Sequence, residues 1–227
     1  MADGEYDDSL NTQFRRLQQE RELSWPAEQL AANAAQRRAL LAAFDAEAVV
    51  KPGDRLDPFD LVGSRGEAIT LDGIVADGPA ILIFFRYAGC PADNLALPYY
   101  DRHLTAAAGV PVVAISPQIP ERLDAIRERH DLRLVVASDP DNRLANRLGL
   151  TFTPIETFML PPAGWIGEIT GTGSWELPQT SVLIVDRDRI VRFVAVSPDW
   201  LDRVEAPEIL AALREFQTAP ERLSAAN

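Results

Sequence analysis

The chain's one cysteine, Cys90, stands between an apolar run and a proline, in Ile81-Leu82-Ile83-Phe84-Phe85-Arg86-Tyr87-Ala88-Gly89-Cys90-Pro91. Proline suits the first position of a helix, where its missing N–H would have no partner anyway. The pattern therefore predicts a buried strand, a short turn, and a helix with Cys90 as N-cap and Pro91 next. A sulfur there faces unpaired backbone N–H groups and the positive end of the helix dipole, and both favour thiolate over thiol. The thiolate is the nucleophile. Arg86, four residues upstream, adds a cation that lowers the thiol pKa and binds an oxyanion or a peroxide oxygen. Asp93, in the first turn of the same helix, works against this, since its charge raises the thiol pKa and its oxygens compete for the same N–H groups. The competing reading of Cys90 is a small buried hydrophobe, the usual fate of a free cysteine.

Other chemistry-bearing types read as structural. His103 and His130 fall on predicted helices with no partner at metal-ligand spacing. Tyr99 and Tyr100 read as packing residues, Trp175 as a core plug beside a turn, and the acidic residues as a solvated face. A lone cysteine with two histidines closes no internal disulfide and builds no structural zinc site. No metal or cofactor is expected, and redox chemistry would need an outside partner.

The net charge of -12 repels phosphate backbones and anionic lipid surfaces, so nucleic acid is an unexpected partner. The acidic start, MADGEYDD, lacks the basic-then-apolar order of a secretory signal, and no apolar run approaches the ~20 residues of a membrane helix. These features predict a soluble protein of the cytoplasm. At 227 residues and 47% hydrophobic composition, the chain suits one core domain with an appendage.

The elements that must position Cys90 follow from pattern. Residues 8–48 carry helical stripes, Leu10, Phe14 and Leu17, then Leu30, Ala34, Leu41, Phe44 and Ala48, with Ser24 and Pro26 marking the second start. They predict two antiparallel helices docked on the core or on a second subunit, within an N-terminal extension over residues 1–50. After the turn cluster Lys51-Pro52-Gly53-Asp54, segments 59–61 and 68–71 form a hairpin. Then come a strand over 80–85, a helix over 91–108, a strand over 110–116 and a helix over 120–130, an alternation that implies parallel strands with right-handed crossovers. A strand over 134–137 and a helix over 139–148 stopped by Gly149 follow, then a Pro- and Gly-rich irregular insertion over 150–178. Strands over 181–185 and 190–196 join through Asp186-Arg187-Asp188-Arg189, and a helix over 207–217 closes a domain of residues 51–217. Residues 218–227 read as a frayed tail.

With the pattern in place, Phe84 to Leu95 resembles the segment that carries the cysteine pair in peroxiredoxin-like proteins of the alkyl hydroperoxide reductase/thiol-specific antioxidant (AhpC/TSA) family. The resemblance continues in Ala114-Ile115-Ser116-Pro117-Gln118, Ser138-Asp139-Pro140, Gly173-Ser174-Trp175-Glu176-Leu177-Pro178 and Val185-Asp186-Arg187-Asp188, and spans about residues 50–215. It implies an α/β thioredoxin-like fold with a central mixed sheet flanked by helices. It also implies reduction of hydrogen peroxide or organic hydroperoxides through a sulfenic acid on Cys90. Three positions depart from the family pattern. Where this branch commonly has a second cysteine stands Asp93, so an external thiol must resolve the sulfenic acid, either a low-molecular-weight thiol or a thioredoxin-like protein. Ile83 and Tyr87 replace the proline and threonine that standard peroxiredoxins place before the cysteine. Thr180 replaces the usual proline or bracing arginine, leaving Arg86 as the only arginine to nominate near the sulfur.

Three functions fit. The first is a one-cysteine peroxidase with Cys90 as nucleophile, Arg86 as activator, and Tyr87 and Thr180 as hydroxyl donors to the peroxide. The second is a catalytically degenerate thioredoxin-fold module for binding or oligomerisation, and the third a thiol sensor. A homodimer is expected by analogy. An active thiol requires the sulfur at a helix N-terminus with Arg86 within hydrogen-bonding reach.

Overall fold

The computed structural model describes residues 9–154 and 163–218. The predicted tail beyond Thr218 and the middle of the predicted insertion lie outside those residues. In chain order the elements are α1 (Leu10–Ser24), α2 (Ala27–Ala43), β1 (Asp60–Gly63), β2 (Ala68–Thr70), α3 (Leu71–Ile74), β3 (Ala80–Phe84) and α4 (Pro91–Leu104). There follow β4 (Val112–Ser116), α5 (Pro120–His130), β5 (Val135–Ser138), α6 (Arg143–Arg147), β6 (Thr151–Phe152), α7 (Ile166–Thr170), β7 (Leu177–Pro178), β8 (Thr180–Val185), β9 (Val191–Ser197) and α8 (Ala206–Thr218).

Seven strands form one mixed sheet in the order β2-β1-β5-β4-β3-β8-β9. β3 lies parallel to β4 and antiparallel to β8, with Phe84 opposite Ile115 on one side and Ser181 on the other. All of β3 is buried, which is why it reads as an unbroken apolar run. Alternation divides its side chains. Ile81 and Ile83 join a core with Leu97, Ile126 and Ile209, whereas Leu82 and Phe84 join one with Leu61, Leu71 and Leu144. The end of β3 is thus covered on both faces, and the loop leaving it starts from a rigid base.

The N-terminal helices pack on the first of these cores. Leu10 and Phe14 are buried, and the backbone N–H groups of Leu10 and Asn11 both donate to the Glu205 carboxylate, an anion at the start of α1. On α2 the Arg37 guanidinium grips Asp199 bidentately at 2.6 and 2.7 Å. The predicted α2 stripe places Leu41 on the buried face, but the buried residue of the helix is its neighbour Leu40 and Leu41 is exposed, because only one edge of this helix meets the body. Ser24 closes α1, and the residue capping α2 is Pro26.

The predicted helix over 139–148 is broken. Asp141 and Asn142 take left-handed backbone angles, and α6 begins only at Arg143. Asp139 causes the break by accepting the Leu144 and Ala145 N–H groups at 2.9 Å each, a local cap that competes with a continuous helix. The predicted stop at Gly149 has φ of +68°, and a Cβ there would meet the Ala48 carbonyl oxygen, so glycine is required on both counts. The ends of the insertion form β6 and β7, which pair with each other.

Candidate active site

Cys90 caps α4 with Pro91 in the first turn, and its backbone N–H donates to the Tyr87 carbonyl at 3.0 Å. The loop from Arg86 to Cys90 is held from three sides. The Arg86 and Tyr87 N–H groups donate to Asp93 Oδ2 at 3.0 and 3.3 Å. The Ala88 N–H donates to Gln118 Oε1 at 2.7 Å, and Ser116 Oγ donates to the Arg86 carbonyl at 3.0 Å. From α4, Asn94 Nδ2 donates to the Ala88 and Cys90 carbonyls at 2.8 and 2.9 Å. Nearly every polar group of the turn is used, which fixes the turn in one geometry.

Arg86 Nη2 reaches Cys90 Sγ at 2.8 Å. Its guanidinium lies 4.4 Å from the Trp200 ring centroid, a cation–π stack that fixes the fork. The sulfur itself has no solvent exposure. Burial pushes the Cys90 thiol above the ordinary 9.0, and Asp93 adds to the rise. Arg86 is the largest pull in the other direction, helped by Arg203 and by the Asp93 N–H facing the sulfur, although no cap hydrogen bond forms. The opposition expected of Asp93 therefore takes a different form. Its carboxylate leaves the helix N-terminus for the N–H groups of the preceding turn, and its charge is met by Arg203 Nη2 at 2.8 Å.

Arg203 corrects the expectation that Arg86 is the only arginine near the sulfur. Both partners of the Asp93–Arg203 pair are buried, and Arg203 also stacks 5.3 Å from the Phe14 ring. Arg21, on α1, is a third cation close enough to interact with Cys90 electrostatically. Neither arginine carries a local motif. The one sequence signal is Asp93 itself, on a helix face whose neighbours Ala92, Ala96 and Leu97 are buried; a carboxylate there demands a cation, without saying which.

Tyr87 stands beside Arg86, with its phenol pushed up to about 12, first by burial and then by the Cys90 charge. Arg86, Tyr87, Pro91 and Trp175 line one cavity of about 480 Å³. Trp175 is therefore half-buried cavity wall, not a core plug; its ring packs 4.9 Å from Trp165. Thr180 is elsewhere. Its hydroxyl donates to the Ser197 carbonyl at 3.1 Å, and it lines a separate small cavity with Tyr100 and Arg203. Asn94, Gln118 and Trp200 are the other site residues that sequence reasoning missed. His130 bonds Asn94 Oδ1 at 2.8 Å, and among the described residues no cluster of metal-ligating side chains occurs. No helix of the described residues is long and apolar enough to cross a membrane.

Comparison with known proteins agrees with this fold. A model of the AhpC/TSA family matches residues 52–194. Similar solved structures include peroxidoxin BcpB from Mycobacterium tuberculosis, 21% identical over 73% of this chain and 97% of that one, with a TM-score of 0.56. Prx3 from Vibrio vulnificus, reduced and in complex with hydrogen peroxide, is 22% identical over 73% of this chain and 99% of its own, with a TM-score of 0.58. The yeast mitochondrial 1-Cys peroxiredoxin is 13% identical over 74% and 77%, with a TM-score of 0.56. No curated protein matches the chain.

Proposed function

The chain belongs to the AhpC/TSA family, with the thioredoxin-like fold of peroxiredoxins, and from that premise we propose that it is a one-cysteine thiol peroxidase. The observation that carries the reading is the 2.8 Å contact of Arg86 with Cys90 Sγ at the start of α4, beside a cavity of small-molecule size. The Cys90 thiolate attacks one peroxide oxygen, the O–O bond breaks, and the other oxygen leaves with the electron pair and takes a proton. Sulfur is oxidised by two electrons to sulfenic acid and the peroxide is reduced to an alcohol or water. An external thiol then displaces water from sulfur to form a mixed disulfide, and a second releases Cys90 as a thiol. A one-cysteine relative described as resolved through glutathione and thioredoxin systems supports an outside reductant here.

The test is intact mass after mixing the reduced protein with hydrogen peroxide. A gain of one or two oxygens on Cys90, absent from Cys90→Ser, is the expected result. Oxidation no faster than that of free cysteine overturns the reading in favour of a degenerate binding module, which the full burial of the sulfur would then explain.

Because burial holds the thiol above its ordinary value, the thiolate is the minor species at neutral pH. The rate of Cys90 oxidation by hydrogen peroxide should therefore climb close to tenfold per pH unit between about pH 7 and 9. A rate already flat below pH 7 would show that Arg86 outweighs desolvation.

A further inference from the structure

The cavity beside Cys90 has a second wall, built by the N-terminal helices. Arg21 and Trp25 from the end of α1 and Asn33 and Gln36 from α2 line it together with Arg86. In a chain of net charge -12, this space holds two arginines and, among the described residues lining it, no acidic side chain. Arg21 is only 6% exposed, stacks 4.8 Å from the Trp25 ring centroid, and meets no carboxylate among the described residues. Among the described residues its Nη1 is buried without a hydrogen-bond partner, and so are Arg86 Nε and the Trp200 indole N–H. Unpartnered buried donors on cations are costly and rare, and an anionic acceptor in this cavity would satisfy them. Burial disfavours the charge on Arg21, the Cys90 charge offsets this only in part, and crowding by Arg86 and Arg37 adds to it; an anion in the cavity would relieve that crowding. Elsewhere in the wall, Trp175, Ile166 and Leu177 offer apolar surface.

The geometry points to an organic hydroperoxide that carries a carboxylate on an apolar body, with the carboxylate on Arg21 and the hydroperoxide group at Arg86 and Cys90. This rests on the peroxidase reading and adds the substrate class. It also gives the N-terminal helices a role in recognition, since they supply Arg21, Asn33 and Gln36 to the cavity wall.

The probe is the pair of cumene hydroperoxide and its ring-carboxylated analogue, the hydroperoxide of 4-isopropylbenzoic acid, each reacted with reduced protein and quenched for intact mass. The carboxylated compound should oxidise Cys90 at least about tenfold faster, the worth of one charge-assisted hydrogen bond. In Arg21→Gln the ratio of the two rates should fall towards one; a ratio cancels any change in the sulfur's own reactivity. Should that variant not fold, the wild type decides, because 4-isopropylbenzoate should inhibit oxidation by cumene hydroperoxide where neutral 4-isopropylbenzamide does not. Equal rates for the two hydroperoxides, with Cys90 still oxidised by hydrogen peroxide, overturn the substrate class and leave the peroxidase standing. Oxidation by none of the three overturns both.

Discussion

Arg86→Gln should lower the rate at which hydrogen peroxide oxidises Cys90 by about 10²- to 10³-fold, the usual consequence of removing one preorganised donor at a site of developing charge. In the proposed mechanism Arg86 acts on both states of the reaction. At 2.8 Å it is the largest influence holding the buried thiol down, so without it the thiolate becomes scarcer. In the proposed attack it would also stand beside the oxygen that carries charge as the O–O bond breaks. Stopped-flow tryptophan fluorescence or quenched mass spectrometry gives the rate, and alkylation by iodoacetamide separates the two contributions. Alkylation depends on thiolate supply alone and should fall less than peroxide reduction. Arg86→Lys should recover only part of the loss, because a lysine keeps the charge but not the planar fork that stacks on Trp200. A glutamine variant within threefold of wild type would remove Arg86 from the mechanism.

The parts of this site that were legible in the sequence are those that depend on neighbours in the chain. β3 reads directly because a strand covered on both faces is an unbroken apolar run, and Cys90-Pro91 reads as a helix start because proline has few other places to stand. Arg86 follows, four residues away. What escaped depends on distant segments meeting. Arg203 reaches Asp93 across 110 positions, and Arg21 comes from a helix whose sequence shows only amphipathicity. Both depend on the segment between β9 and α8. There Asp199 holds Arg37, Trp200 lies against Arg86, Arg203 holds Asp93, and Glu205 caps α1. Nothing in the period of that segment announces four contacts. The choice of Leu40 over Leu41 escaped for a related reason, since a helix that touches the body along one edge leaves both faces plausible to a pattern. The left-handed pair Asp141 and Asn142 is a contest between a side-chain cap and a helix, and propensity alone does not decide it.

The Asp93–Arg203 pair carries the largest expected effect on stability. Asp93 is fully buried and Arg203 nearly so, at 0% and 3% side-chain exposure. Removing one partner leaves a charge in the core with no counter-ion, so Arg203→Met should destabilise the fold by about 3–5 kcal/mol in urea unfolding. The orphaned Asp93 charge also lies close to Cys90 and raises its thiol, so alkylation of Cys90 at pH 8 should slow even where the variant remains folded. Asp93→Asn in the same chain is the diagnostic second change. The amide oxygen can still accept the Arg86 and Tyr87 N–H groups that Asp93 holds, while the unpaired charge is gone. The double variant should therefore recover most of the lost stability, as neutral replacements of buried ion pairs often do, and Cys90 should alkylate faster than in Arg203→Met alone. Strictly additive losses would mean that each side chain contributes through packing alone. In that case the turn before Cys90 would owe its geometry to its hydrogen bonds with Gln118, Ser116 and Asn94 and not to this pair.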